Sequence, residues 1–396
     1  MNVLVMNCGS SSIKFQFIEI IAEKLICKGG IERIGTTEAL LTYEQVGKGK
    51  IKEIVETPDH SRAIESIINL LLSPQRGVIK EKSEIDGIGH RVVHGGEKFS
   101  ESVLVTCEVE ECIKEFCKFA PLHNPHNLKG IETCKDLLPG IPQIAVFDTA
   151  FHHKMPEKAY LYALPYSVYQ KFGIRRYGFH GTSHKYVAEK AVALIGKPVS
   201  ATKIITCHLG NGCSMAAVLG GVSVDTSMGF TPLEGLVMGT RCGDIDPAVI
   251  PYLMEKENLS VKEIDSLMNK QSGLLGISGT GNDMRELTVE ALAGSHRHKL
   301  AIDIFCQRVK KYIGAYIAVM GGLDALVFTG GIGENAALIR EKICDNMDFM
   351  GIRIEGALNQ QNEESIGTGK TKVFIIGTNE ELMIARDVRT LVQNLK

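Results

Sequence analysis

The residues able to do chemistry gather in four short segments rich in glycine and small polar groups, each at the end of an apolar run. The first is Asn7-Cys8-Gly9-Ser10-Ser11-Ser12-Ile13-Lys14, set between apolar residues 1–6 and 15–21. Such a turn offers backbone N–H groups, short hydroxyl donors and one cation to an anion above it. It is a phosphate cradle on a hairpin and points to nucleotide chemistry. The second, Gly210-Asn211-Gly212-Cys213-Ser214, repeats the plan between runs 203–209 and 215–219. Thr329-Gly330-Gly331-Ile332-Gly333-Glu334-Asn335 closes a third run, 323–328, and Gly377-Thr378-Asn379-Glu380-Glu381 closes a fourth, 372–376.

Positioning these turns requires strands that end at them and helices that start there. Periodicity predicts helices over 63–72, 336–343 and 382–395, the last with Leu382, Ala385, Val388, Leu391, Val392 and Leu395 on one buried face. Residues 85–93 read as a strand running into a loop, and 143–147 as a short buried strand ending at Asp148-Thr149. In α/β sheets ligands bind at such strand ends, where helix N-termini add N–H groups and a dipole favourable to phosphate. The recurrence predicts an α/β fold of two duplicated domains facing a shared nucleotide cleft. One domain covers 1–150, with the final helix, 382–396, packing back on it. The other covers 151–381, entered through a Pro-, Tyr- and Lys-rich crossing at 151–177.

A length of 396 residues exceeds one ordinary core and fits two domains. An apolar fraction of 44% and a charged fraction of 23% are those of a soluble globular chain. With a net charge of −2 there is no general attraction to nucleic acid or membrane, so any anion needs a local site. Apolar runs such as 315–320 are too short to span a bilayer. Residue 1 leads straight into a strand-like run, so no secretory signal is expected. The 11 cysteines are odd in number and lack a CxxC pair, and the spacing of Cys107, Cys112 and Cys117 does not suit zinc. Cys207 and Cys306 read as small core residues. A reduced, cytoplasmic protein is expected. Gly367-Thr368-Gly369-Lys370-Thr371 looks like the end of a P-loop, but Glu364 stands where its first glycine belongs and a strand follows, so it reads as a turn.

Together, Asn7-x-Gly9-Ser10-Ser11-Ser12-x-Lys14, Arg176-Tyr177-Gly178-Phe179-His180-Gly181-Thr182-Ser183-His184, His208-Leu209-Gly210-Asn211-Gly212, Met238-Gly239-Thr240-Arg241-x-Gly243-Asp244-x-Asp246-Pro247 and Gly330-Gly331-Ile332-Gly333-Glu334-Asn335 resemble the acetate kinase family. The resemblance runs in order along essentially the whole chain. It implies the ribonuclease H-like fold of the acetate and sugar kinase, Hsp70 and actin superfamily. It also implies reversible in-line transfer of the ATP γ-phosphoryl group to acetate, giving ADP and acetyl phosphate. Acetate is already ionised at neutral pH, so the attacking oxygen needs no strong base. The obstacle is repulsion between a carboxylate and a triphosphate, which calls for cations and alignment.

Carried over residue by residue, the resemblance implies a catalytic set of Arg91, Asp148, His180 and Arg241. The arginines would hold substrate and transition state, and His180 would donate to the transferring phosphoryl group. Asp148 would be the acidic residue of the centre, either exchanging a proton or orienting Arg91 or the metal's water shell. Arg91, Val93, Leu122, His123, Phe179 and Pro232 would bind acetate, with Val93 favouring it over propionate. Lys14, Ser10, Ser12, His208, Leu209, Gly210, Asn211 and Gly212 would hold phosphates. Asp283, Met284, Arg285, Gly331, Ile332, Gly333, Glu334 and Asn335 would surround the adenosine. Asn7 and Glu380, with Glu381 as the adjacent alternative, would contact Mg²⁺, for which Mn²⁺ can substitute. A homodimer is implied, with neither nucleic acid nor membrane as partner. His152-His153 and His296-Arg297-His298 read as exposed polar positions, and His184 as structural. A propionate kinase is the nearest alternative. A sugar kinase would need a catalytic-base aspartate beside a polar pocket, and a plain ATPase would turn over without acetate.

Overall fold

In the computed structural model, which describes residues 1–121 and 123–395, the first apolar runs pair as a hairpin: β1 (Asn2–Cys8) lies antiparallel to β2 (Ser12–Glu19), with Asn7 opposite Lys14. Antiparallel pairing continues through β3 (Lys24–Glu32), β4 (Leu40–Gln45) and β5 (Gly49–Ile54). On its other edge β1 is parallel to β6 (Gly87–Val92), β6 is parallel to β8 (Gln143–Phe147), and the short β7 (Val103–Leu104) closes the sheet in the order β5-β4-β3-β2-β1-β6-β8-β7. Parallel neighbours end on the same side of a sheet. Asn7, Arg91 and Asp148 therefore leave the ends of three consecutive strands together.

One face of this sheet packs its Leu, Ile and Phe residues against the helices His60–Leu71 and Asn124–Leu137. The other face carries the helix Glu380–Gln393 on β1, β6 and β8. Gly87 and Gly89 leave the room for it. Side chains alternate along a strand, so these two glycines share a face. A Cβ on Gly87 would stand 2.8 Å from Val388, and one on Gly89 would stand 2.4 Å from Ile384. This helix starts two residues before the sequence-predicted position, with Asn379 accepting a bond from the Leu382 N–H as its cap. Glu380 thus sits in its first turn.

Residues 1–150 with 379–396 form one compact unit, and residues 151–378 form another. The second has its own five-stranded sheet: β9 (Lys203–Leu209), β10 (Cys213–Leu219), β11 (Val222–Thr226), β12 (Ala325–Thr329) and β13 (Lys372–Ile375), in the order β11-β10-β9-β12-β13. An antiparallel hairpin is again followed by parallel strands, β9 with β12 and β12 with β13. The order β3-β2-β1-β6-β8 of the first sheet has the same pattern, so the expected duplication is real at the level of topology. Two local readings differ. Residues 330–335, expected as a turn, form a short helix directly after β12, with Thr329 as its N-cap, and the crossing at 151–177 contains the helices Glu157–Tyr160 and Tyr166–Phe172. The stretch at 367–371 leads into β13, a strand, as its sequence implied. No described helix is long and apolar enough to cross a membrane.

Because Gly89 makes room for Ile384, Gly89→Ala is expected to lower stability by about 1–3 kcal/mol through overpacking. Thermal and denaturant unfolding check this, and an unchanged midpoint would mean that the helix yields without cost.

Candidate functional site

In the unit of residues 1–150 with 379–396, the β1–β2 turn is closed by the Gly9 N–H donating to the Ser12 carbonyl at 2.8 Å, while His60 Nε2 pairs with the Gly9 carbonyl at 2.7 Å. Ser10 and Ser11 are exposed, so their hydroxyls and N–H groups face solvent at the strand ends. Buried Asn127 ties this turn to the end of β6: its Nδ2 donates to the Cys8 carbonyl at 2.7 Å and its Oδ1 accepts from the Val93 N–H at 3.1 Å. Asn124 clamps His94 in the same way, through both its N–H and its carbonyl. Neither asparagine stood out in the sequence. Their helix begins at Asn124 with Pro125 in its first turn, and only the pairing of β1 with β6 reveals what they join.

Arg91 and Asp148 meet across these strand ends. Arg91 Nε donates to both carboxylate oxygens at 3.1 Å and Nη2 donates to Oδ2 at 2.7 Å. Asp148 is buried, whereas the Arg91 side chain keeps 23% of its exposure. Glu380 Oε2 lies 3.9 Å from Arg91 Nε. Burial works against the Arg91 charge, but Asp148 and Glu380 outweigh it and hold its pKa above the usual value. Burial, helped by the charges of Asp148 and Glu381, raises the Glu380 carboxyl to about 7, against Arg91 and Lys14, which pull it down. Lys14 thus belongs to the same electrostatic group. Val93 is buried beside it, and His123 precedes the helix Asn124–Leu137. Leu122 lies outside the described residues.

In the unit of residues 151–378, His180 sits at the N-terminus of the helix Gly181–Ile195 with φ of +56°, a left-handed conformation rare for a side chain with a Cβ. Its ring stacks on His208 at 4.3 Å, and its Nδ1 pairs with Ser214 Oγ at 2.8 Å. His208 comes from the end of β9 and Ser214 from the start of β10, so the 210–212 turn lies directly between the strands that carry them. A Cβ on Gly212 would be 3.5 Å from His180 Nε2 and 3.7 Å from Arg241 Nη1. Histidine and arginine therefore converge on the space above that glycine.

The segment bearing Arg241 is held by backbone bonds from the Gly239 N–H to the Asn211 carbonyl and from the Met238 N–H to the Arg241 carbonyl. Arg241 Nη1 donates to the Pro232 carbonyl at 3.0 Å. Among the described residues no carboxylate pairs with it, and burial lowers its pKa from the usual guanidinium value. Asn211 Oδ1 accepts from Asn282 at 2.9 Å. Leu209 and Phe179 are buried in the core.

The other residues of the predicted nucleotide set form local structures. Asp283 caps the helix Met284–Leu292 and binds the exposed Arg285 through Nε and Nη2, which lowers its carboxyl to about 2. Met284 is buried. Glu334 Oε1 accepts from the Gly330 N–H at 2.9 Å and the Thr378 N–H at 3.2 Å, bracing the end of β12 against the segment after β13. Asn335 Nδ2 returns to the Gly331 carbonyl, Ile332 is half-buried, and buried Gly333 gives its carbonyl to Arg340 Nη1. Two readings of histidine exposure are corrected. His152 is fully buried, paired with Ser223 and the Phe179 carbonyl, and His298 is buried between Thr280 and Ser295. Both enter the core because hydroxyls and, for His152, a backbone carbonyl satisfy their ring nitrogens.

The comparisons show a phosphotransferase that uses a carboxyl group as acceptor. The Acetokinase family profile matches residues 2–386. An acetate kinase of Halothermothrix orenii is 55% identical over 398 residues, covering 100% of both chains. A crystal structure of Porphyromonas gingivalis acetate kinase superposes with a TM-score of 0.94 at 47% identity, covering 99% of each chain. A propionate kinase from Francisella tularensis subsp. tularensis gives 0.93 at 45% identity, covering 98% of this chain and 99% of that one. The chain belongs to the acetokinase family.

His90, next to Arg91, is buried on Gln143, and burial lowers its pKa to about 4. It stays neutral in the fold while the unfolded chain takes up a proton below about pH 6.5. Its contribution is therefore complete above that value and is lost as the pH falls from 6.5 towards 4. Denaturant titration should show about 2 kcal/mol less stability at about pH 5 than at about pH 7 from this group, and His184, buried likewise, adds to the loss in the same direction.

Proposed function

We propose that this chain transfers the γ-phosphoryl group of ATP to acetate, and back, by direct in-line displacement. The observation that carries the reading is Arg241, a half-buried guanidinium with a carbonyl and a thioether beside it and no carboxylate partner among the described residues, turned with His180 towards Gly212. A partly desolvated cation without a counter-charge is poised for an anionic ligand. A carboxylate oxygen forms the new bond to the γ-phosphorus while the bond to the β–γ bridging oxygen breaks, and ADP leaves. His180 and Arg241 meet the equatorial phosphoryl oxygens, on which the charge is spread.

Arg91 is committed to Asp148 through Nε and Nη2, which leaves Nη1 for an acetate or phosphoryl oxygen. Of the two roles open to Asp148, its bonds to Arg91 support orientation. An acceptor that is already ionised requires no proton transfer. The 210–212 turn, with Asn211, and the Ser10–Ser12 turn with Lys14 supply N–H, hydroxyl and ammonium donors to the phosphates. Residues 283–285 and 331–335 flank the adenosine, Asp283 and Arg285 being fixed by each other. The family resemblance assigns the acetate methyl to Val93, Leu122, Phe179 and Pro232, and makes His123 a further substrate-binding residue.

Mg²⁺ suits the donors present. It favours one or two protein oxygens plus phosphates and water, and among the described residues no cluster of three or more acidic, His or Cys side chains is available to cage a metal alone. Asn7 and Glu380 would hold it. The Glu380 carboxyl, raised to about 7, gains from a nearby cation. The ion, or Mn²⁺ in its place, neutralises charge on the phosphates. A cytoplasmic location and a homodimer belong to the same reading.

A propionate or short-chain acyl kinase remains the second reading, favoured by the likeness to the F. tularensis propionate kinase. Rejection of one methylene is worth roughly 1–3 kcal/mol, so acetate should exceed propionate in kcat/KM by about 10- to 200-fold. A preference for propionate or butyrate would reverse the assignment. Val93→Ala is expected to narrow that gap by about tenfold.

Hydroxamate trapping of acetyl phosphate from ATP, Mg²⁺ and acetate tests the activity. Arg241→Ala is expected to cut kcat by about 10³-fold or more with an unchanged melting temperature. Near-normal turnover would remove Arg241 from the reaction.

A further inference from the structure

Behind the two stacked imidazoles lies a chain of buried groups to which the reaction assigns no part. Thr206 Oγ1 is 2.7 Å from His184 Nδ1, His184 Nε2 is 2.7 Å from Ser214 Oγ, and Ser214 Oγ is 2.8 Å from His180 Nδ1. Beside it, Thr378 Oγ1 donates to Ser183 Oγ at 2.8 Å, and Ser183 Oγ is 2.8 Å from His208 Nδ1. Thr206, His184, Ser214 and Ser183 are all fully buried.

Proton arithmetic gives these bonds a direction. A hydroxyl has one proton to donate, and a neutral imidazole has one N–H and one acceptor nitrogen. Among the described residues the Thr206 hydroxyl has a single partner, His184 Nδ1. If His184 donated to it, the Thr206 proton would be left in the core with no acceptor, the costlier way to misplace a proton. Thr206 therefore donates to His184 Nδ1, and the His184 N–H is on Nε2. That N–H donates to Ser214, and the Ser214 proton goes to His180 Nδ1. A charged His184 would donate at both nitrogens, but burial lowers its pKa well below the ordinary value and keeps it neutral. In the second chain Ser183 already accepts from Thr378, so its own proton goes to His208 Nδ1.

We propose that Ser214, backed by His184 and Thr206, and Ser183, backed by Thr378, are positioning residues that fix His180 and His208 as their Nε2–H tautomers. Both rings then turn an N–H donor towards the glycine turn. A Cβ on Gly212 would be 3.5 Å from His180 Nε2, and one on Gly210 would be 4.0 Å from His208 Nε2. The pair presents two N–H donors suited to phosphate oxygens without needing the positive form of either ring. The stacking of the rings at 4.3 Å makes a doubly charged pair unfavourable. The kinetic consequence rests on the phosphotransferase reading; the tautomers do not.

Two-bond ¹H–¹⁵N correlation on the ¹⁵N-histidine protein reads the tautomers directly, with His180→Gln and His208→Gln used to assign the signals. Both rings are expected to carry the proton on Nε2 at neutral pH, and Nδ1–H in either ring would overturn the proposal. Ser214→Ala is expected to mix the His180 tautomers and lower kcat by about 10- to 100-fold with little change in KM for ATP or acetate. If that variant does not fold, the nearly isosteric Thr206→Val decides. It should lower kcat by several-fold and mix the tautomers, and Thr206→Ser should restore both. An unaltered His180 tautomer in a folded Thr206→Val protein would overturn the relay. Absence of acetyl phosphate from the wild-type protein would instead defeat the activity and leave the tautomer measurement standing.

Discussion

A half-buried guanidinium without a carboxylate partner among the described residues is costly for a fold to hold, and the catalytic reading of this protein depends on one, Arg241. Arg241 is kept in that state by its backbone. Its own carbonyl accepts from the Met238 N–H, its neighbour Gly239 is bonded to the Asn211 carbonyl, and Gly273 passes close enough that a Cβ there would strike the Met238 and Arg241 backbone. Gly273 also has φ of +64°. These contacts fix the backbone of the segment that carries the arginine.

Arg91 shows the opposite solution. Its charge is matched in the resting protein by Asp148 and approached by Glu380, so it is oriented more than it is unsatisfied. Burial is the main reason that Glu380 is raised to about 7; Arg91 pulls it down, and the charges of Asp148 and Glu381 push it up. A phosphotransferase acting on an ionised acceptor has use for both kinds of arginine. In the proposed reaction, one would be aimed by a fixed partner and one left open to the transferring group, with Asp148 orienting the guanidinium it is bonded to.

Each compact unit repeats a single device, a hairpin followed by parallel strands, so that chemistry-bearing residues fall at strand ends that share an edge. What differs is the filling. The first unit places Asn7, Arg91, Asp148 and Glu380 at those ends. The second places His180, His208 and Arg241 around a glycine turn and supports both imidazoles from behind with hydroxyls. The duplication supplies position, and the substitutions at the turns supply chemistry.

Much of this was legible in the sequence. Apolar runs ended by Gly-Ser-Ser-Ser and Gly-Asn-Gly fix strands and turns locally, since only small residues tolerate such turns, and the ordered motifs identified the family over its whole length. The periodicity of residues 382–395 located the last helix to within two residues. Tertiary structure decided the partners. That Asp148 grips Arg91 in three hydrogen bonds, that Asn127 ties the Cys8 carbonyl to the Val93 N–H, and that His152 and His298 are buried follow from the packing of segments apart in the chain. The relay behind His180 is of the same kind. Thr206 and Ser214 are ordinary strand residues in sequence, and only the antiparallel register of β9 and β10 under the helix Gly181–Ile195 lines their hydroxyls up with two histidines. Sequence sets what each stretch of backbone can become, because propensity and turn chemistry act over a few residues; which buried donor meets which acceptor is settled by packing, because it depends on groups far apart along the chain.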